Sequence, residues 1–305
     1  MTEQHIGQTC AILTALTWAF AMVFFRLSGE RVAPLPLNLF KNTIGLVLLA
    51  ATLFALWVFG LDDGIATLRD HPPKEIWVLL ISGFIGIALA DTVFFHALNL
   101  IGVGIVAIVD CLYSPCIIFF SFIMLSEELG LFQYVGAAMI VSAVLFSSRL
   151  EPPKNRTRAQ LVGGILLGAL AMALMGYGIV LAKPVLTHFP LVWATALRMI
   201  AGTLSLAVFA LASPKRKVIW SAFRPAPVWK WSMPGAFLGA YVSMILWVAG
   251  FKYMQAAAAS ILNQTSTIFA IILATLILKE SFTRRKLLAV ILAMTGVIVV
   301  TFNTH

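Results

Sequence analysis

Long apolar runs separated by short polar clusters set the pattern of the chain. Windows of about 20 apolar residues, the length that crosses roughly 30 Å of hydrocarbon at 1.5 Å per residue, recur ten times. They lie near residues 7–28, 36–59, 75–98, 103–125, 131–148, 161–182, 190–212, 230–251, 255–278 and 284–302. The pattern predicts an all-α membrane protein of ten transmembrane helices. The connections are too short to hold a soluble domain, so the function is placed within the membrane. The first run is read as a retained helix rather than a cleaved signal, because MTEQHIGQT carries no Lys or Arg and the run exceeds a signal's apolar region.

Composition agrees with this reading. Of 305 residues, 61% are hydrophobic and 11% charged, with a mean hydropathy of +0.99; soluble domains run near 45–50% apolar and about 25% charged. The net charge of +9 does not point to nucleic acid, because the basic residues fall in the connections rather than on one soluble face. Cys10, Cys111 and Cys116 sit inside predicted spans, so they describe neither a disulfide framework nor a metal site. No metal and no cofactor is called for.

The distribution of Lys and Arg bears on orientation. Among the connections, only Arg69, Lys74, Lys183 and Lys252 fall on the even-numbered ones; clusters such as Lys215, Arg216, Lys217 and Arg284, Arg285, Lys286 fall on the odd-numbered ones. The positive-inside rule then puts both termini outside.

Sliding the chain against itself reveals a duplication. At an offset of 153, residues 84–149 run against 237–302, with Phe84 on Phe237, Gly86 on Gly239, Leu125 on Leu278 and Glu127 on Glu280. At an offset of 157, Gly7 meets Gly164, Arg26 meets Lys183, Lys41 meets Arg198 and Gly45 meets Gly202. Basic residues pair with basic and acidic with acidic in a nearly uncharged chain. The expected organisation is two repeats of five helices, 1–150 and 151–305. An odd number of spans per repeat makes the two run in opposite senses, the inverted construction of many secondary transporters.

The order and duplication of these features resemble the drug/metabolite transporter superfamily, of the EamA-like type, over essentially the whole chain. The resemblance is carried by the Trp18 region, by Lys41 and Arg198 early in helices two and seven, by Tyr113-Ser114-Pro115, and by Glu127 and Glu280 closing helices four and nine. It implies a ten-helix inverted repeat around a central cavity, in the cell (inner or plasma) membrane, that moves small organic solutes, often outward. Members are generally drawn with both termini inside, opposite to the charge count. The second repeat departs from the first in having Ile268 at the position of Pro115, so the two halves of the cavity should differ.

Candidate chemistry centres on the stretch IVAIVDCLYSPCIIFF. A charge near the middle of a membrane helix costs roughly 2.5–3.5 kcal/mol on insertion scales, so Asp110 is expected to face the bundle interior. Pro115 cannot donate its backbone hydrogen bond and breaks the helix, leaving the Cys111 carbonyl to other partners. At spacings i, i+3 and i+4, Asp110, Tyr113 and Ser114 share a face, and their repeat equivalents Asn263, Ser266 and Thr267 lie in the polar run NQTST. Two such faces would line one cavity from opposite sides; alternatively, they clamp helices together.

Further lining is expected from Trp18, Tyr177 and Tyr241, whose polar tips seek partners when buried. Lys41, Asp91 and Asp110 fall at similar depth, so Lys41 pairs with one of the two acids. Asp91, Asp110 and His96 are the candidates for carrying a proton; one proton crossing 100 mV supplies about 2.3 kcal/mol, enough for roughly fiftyfold accumulation. Glu127 and Glu280 are expected to fix helix ends or gate contacts.

The leading expectation is a secondary exporter of small metabolites, amino acids or related zwitterions, working by alternating access as a monomer or homodimer, with solute, membrane lipid and a coupling proton as partners. Lys41 and Arg198 would suit a carboxylate and Asp110 an ammonium. The alternative within transport is a nucleotide-sugar or sugar-phosphate translocator. Outside transport stand a receptor or scaffold, and an intramembrane aspartyl protease using Asp91 and Asp110. The protease contexts are absent, as are HExxH, GxSxG and P-loop motifs, so no enzyme is expected.

Overall fold

A computed structural model describes residues 3–126, 130–147, 153, 155–224, 226–280 and 283–301. Every regular element in it is helical. The first spans are α1 (Glu3–Gly29), α2 (Pro34–Val58), and α3 (Pro73–Gly83) continuing through a π-helical turn, Phe84–Leu89, into α4 (Ala90–Asp110). They are followed by α5 (Tyr113–Leu125), α6 (Leu131–Ser147), α7 (Arg158–Leu186) and α8 (Leu191–Ala212). A short α9 (Arg216–Ser221) leads to α10 (Trp229–Ala236), a second π turn at Phe237–Val242, and α11 (Ser243–Tyr253). The chain closes with α12 (Ala256–Asn263), α13 (Thr265–Leu276) and α14 (Arg284–Thr301). Seven continuous stretches among the described residues are long and apolar enough to cross a membrane, and three shorter apolar helices, Tyr113–Leu125, Tyr134–Ala143 and Leu287–Val299, accompany them.

Local chemistry explains the boundaries. Prolines start α2 and α3, where a missing N–H is no loss. At the start of α7 the Gln160 N–H donates to Thr157 Oγ1 and the Thr157 N–H donates to Gln160 Oε1, a reciprocal cap. Within α4 the chain turns at Gly102, whose φ of 74° favours glycine. There the Val103 and Gly104 N–H groups donate to Glu280 Oε1 and Oε2 at 2.9 and 3.0 Å. Glu280 therefore caps a helix start with its carboxylate, where the helix dipole favours a negative charge. Glu127, its sequence partner, lies outside the described residues.

Polarity is turned inside out. Val47, Phe54, Leu166, Leu204, Phe209 and Leu288 are exposed, whereas Asn38, Lys41, Asn42, Asp91, Arg198, Asn263 and Gln264 are buried. That arrangement suits hydrocarbon as the solvent, where polar groups must be satisfied inside the bundle. Small residues let the helices meet closely: Gly83 abuts the backbone of Arg198 where α3 crosses α8, and Gly45 abuts Ala240.

Landmarks recur along the chain. The two π turns lie 153 residues apart, as do the helix breaks after Asp110 and Asn263 and the starts of α6 and α14. So do Ser126 and Lys279, which both have positive φ. Contacts recur in the same register: Gly7 packs on Tyr253 and Met254 while Gly164 packs on Leu100 and Ile101, and Gly45 meets Ala240 while Gly202 meets Ile87. Accordingly α1 packs on α11 and α13, α7 packs on α4 and α5, and α6 packs on α14.

Candidate functional site

The π turns and helix breaks converge on a central cavity of about 80 Å³. The first half of the chain lines it with Gly86, Ile87, Asp91, Asp110 and Tyr113, the second half with Gly239, Ser243, Trp247, Asn263, Gln264 and Ser266. Thr14 and Trp18 of α1, Lys41 of α2 and Met175 of α7 complete the wall. A π turn leaves backbone groups out of the regular ladder and is found frequently at functional sites; here both lie against the same space.

Two helix breaks meet beside it. Between Asp110 and Tyr113 the α4 helix stops, and Gln264 Nε2, itself at the break between α12 and α13, donates to the Asp110 carbonyl at 3.2 Å. Thr267 Oγ1 donates to the Ala107 carbonyl at 3.1 Å. Side chains of one segment thus satisfy carbonyls that the interrupted helix of the other leaves over. Pro115 lies in the first turn of α5, so the break it causes falls just ahead of it, at Cys111 and Leu112.

Charge is distributed unequally among the acids. Lys41 Nζ donates to Asp91 Oδ2 at 2.6 Å, with both side chains buried, and lies over the rings of Phe25 and Phe95. Of the two partners open to Lys41, the structure selects Asp91. Asp110, in contrast, has no side-chain hydrogen bond or ion pair among the described residues and faces the cavity.

Arg198 is 1% exposed, and its Nε, Nη1 and Nη2 all lack an acceptor among the described residues. Its guanidinium lies 5.1 Å from the Trp247 ring, one layer behind the wall. Gly86, which lines the cavity, adjoins it: a Cβ there would stand 3.5 Å from Nη2. Tyr113 is within electrostatic reach of both Arg198 and Asp110, and its hydroxyl accepts from Trp247 Nε1 at 3.0 Å. Both polar atoms of the Asn263 side chain, together with Gln264 Oε1, are also buried without partners among the described residues.

Lys41→Met is expected to leave the Asp91 carboxylate uncompensated and to destabilise the protein by about 3–5 kcal/mol. Pairing it with Asp91→Leu should recover most of that loss, because removing both charges is close to neutral. Thermal unfolding of the two variants in detergent reads the difference.

Several expected lining residues stand elsewhere. Ser114 is fully buried and its Oγ donates to Ser260 Oγ at 3.2 Å, clamping α5 to α12. Thr267 is likewise committed to a helix contact. Tyr113 and Ser266, one residue earlier in each segment, do reach the cavity, so each face turns from the wall into a helix contact within one residue. The Tyr241 hydroxyl meets Thr52 Oγ1 at 2.7 Å, and the Tyr177 ring packs on Phe120, so neither reaches the wall. His96 is exposed and takes no part in the cavity. Trp18, Lys41, Asp91, Asp110, Tyr113, Asn263 and Ser266 line the cavity. Gln264 and Ser243 were missed; Gln264 stands inside the NQTST run, the one signal that pointed to it.

Comparison with known proteins agrees with this architecture. The profile of the EamA-like transporter family matches residues 5–149 and again 162–302. A protein described as uncharacterized transporter YoaV, from Bacillus subtilis (strain 168), is 22% identical over 142 residues, 47% of this chain and 46% of that one. The match thus spans about half the length of that relative. A solved crystal structure superposes with a TM-score of 0.71 at 19% identity, covering 97% of this chain and 96% of that chain; at such identity the likeness shows the fold alone.

Proposed function

We propose, from the premise that the chain belongs to the EamA-like transporter family, that it is a secondary transporter carrying small zwitterions such as amino acids through the central cavity. The observation that carries this reading is the pair of unpartnered charges, the buried Arg198 guanidinium and the cavity-facing Asp110 carboxylate. A buried charge without a partner is strongly unfavourable, and an α-amino acid brings a carboxylate for Arg198 and an ammonium for Asp110. Arg198 takes the carboxylate past Gly86, in the bidentate fork that suits it. Tyr113 adds a hydroxyl to the same wall, and Asn263 and Gln264 offer donors and acceptors to the remaining polar atoms.

In this reading the protein is built of two inverted five-helix repeats, 1–150 and 151–305, within ten spans. The matched π turns, helix breaks and glycine contacts support that organisation, as does the double family match. Rocking of one repeat against the other would expose the cavity to each side in turn. Asp110 is the carrier proposed for a coupling proton, since Asp91 is committed to Lys41.

The other readings gain less support. A nucleotide sugar needs far more room than about 80 Å³ in this conformation, well below the roughly 300–1,000 Å³ of pockets for larger ligands. The ion pair with Lys41 takes Asp91 away from a protease dyad, whose two carboxylates share one proton.

Thermal unfolding of the purified protein against amino acids, their decarboxylated amines, their deaminated acids and sugar phosphates tests the assignment. A ligand at a hundredfold its Kd adds about 2.7 kcal/mol of stability. Stabilisation by intact amino acids above either analogue is expected; stabilisation by sugar phosphates alone would replace the zwitterion with a phosphate ester.

A further inference from the structure

Away from the cavity, the fold brings together three side chains that are distant or unremarkable in the sequence. His71 ends the connection after α2, Glu75 lies in the first turn of α3, and His188 lies in the turn between α7 and α8. His71 Nδ1 stands 3.3 Å from Glu75 Oε2, and His188 Nε2 stands 3.0 Å from Glu75 Oε1. One ligand atom from each residue lies within 4.8 Å of those of the others.

We propose that His71, Glu75 and His188 form a binding site for a divalent transition-metal ion, with Zn²⁺ the best fit. Two imidazoles and one carboxylate are a ligand set that zinc takes in sites with three protein ligands and an open fourth position. Atoms held at about 2.0–2.2 Å around one tetrahedral ion stand roughly 3.3–3.5 Å apart; each imidazole already stands near that distance from one of the two Glu75 oxygens, and a small adjustment of the side chains brings one atom of each residue, now within 4.8 Å, around a single ion. Magnesium prefers octahedral oxygen ligands and is not expected to compete.

The surroundings hold the ligands in place. Thr187 Oγ1 lies 3.4 Å from His188 Nδ1, leaving Nε2 to face Glu75; such contacts to the second ring nitrogen orient metal-bound histidines. The His71 ring packs on Phe189 at 4.0 Å between centroids. Lys252 Nζ donates to the carbonyls of Leu186, Thr187 and Phe189, which fixes the turn that carries His188. The side chain of His188 is 53% exposed, so an ion reaches the site from solvent without any rearrangement of the bundle.

Binding would tie the start of α3 to the turn after α7, two segments that are separate in the sequence. The inference rests on these three side chains and not on the transport reading. Its test therefore uses the full chain, free of any polyhistidine tag, in detergent without solute.

Zn²⁺ is expected to raise the unfolding temperature, Mg²⁺ to leave it unchanged, and Co²⁺ to give the visible absorption of a four-coordinate site with nitrogen ligands. His188→Ala and His71→Ala should each weaken Zn²⁺ binding by a factor on the order of 10–100 or more, while Asp110→Asn keeps the full response. Absence of a Zn²⁺ effect on the wild-type chain, or a Zn²⁺ effect on the two histidine variants as large as that on the wild type, would overturn the site.

Discussion

Arg198→Met is expected to raise the unfolding temperature of the solute-free protein by a few degrees while removing its binding of carboxylate-bearing solutes. The two effects have opposite signs because they come from the same buried group. All three guanidinium nitrogens lack an acceptor among the described residues. The face of Trp247 and the field of Asp91, which Lys41 already neutralises, offset only part of the lost hydration. An apolar side chain of similar length removes that burden, and replacing buried charge by well-packed apolar groups often gains on the order of 1–4 kcal/mol. Truncating one member of a buried charge pair across an interface costs about 2–5 kcal/mol, so the Kd for an amino acid should rise at least roughly thirtyfold. If Arg198 were a structural group instead, the variant would lose stability and keep its affinity, and titration followed by unfolding separates the two cases.

Asp110→Asn carries the second large effect. The substitution keeps size and hydrogen-bonding capacity and removes only the charge, so the folded yield should be unchanged. Hydrogen bonds to charged groups are worth about 1.5–3 kcal/mol, and loss of the ammonium contact should lower affinity by roughly tenfold to hundredfold. Because the same carboxyl is the proposed proton carrier, accumulation of solute against its gradient should disappear, leaving at most equilibration. Near-normal, pH-dependent accumulation by this variant would take Asp110 out of the mechanism. His96→Ala serves as the comparison and should behave as wild type, since that ring is exposed and apart from the cavity.

How much of this was legible in the sequence follows from which forces act locally. Helical spans are legible because hydrocarbon thickness imposes a length and a polarity on each of them. Depth alone brought Lys41 level with both Asp91 and Asp110, and the structure made the pair with Asp91. The break near Pro115 and the polar run NQTST were visible, and both border the cavity.

What spacing did not resolve was which residues of a face reach the cavity and which pack on a neighbouring helix. Ser114 and Thr267 were assigned to the wall by regular spacing, yet Ser260 and the Ala107 carbonyl engage them in helix contacts, while their neighbours Tyr113 and Ser266 line the cavity. Tyr241 found Thr52, a partner that no spacing rule relates to it. The lack of acceptors around Arg198 could not be read either, because counting partners requires the neighbours of every atom. His71, Glu75 and His188 meet only through the packing of two connections.

Counterflow in proteoliposomes containing the purified wild-type chain tests the central claim most directly. A labelled small amino acid is offered alongside its decarboxylated amine and its deaminated acid. The account expects exchange of the amino acid to exceed that of both analogues, and to vanish in Arg198→Met and Asp110→Asn. Equal exchange of an analogue that lacks one of the charges, or undiminished exchange in both variants, would contradict a zwitterion site between Asp110 and Arg198.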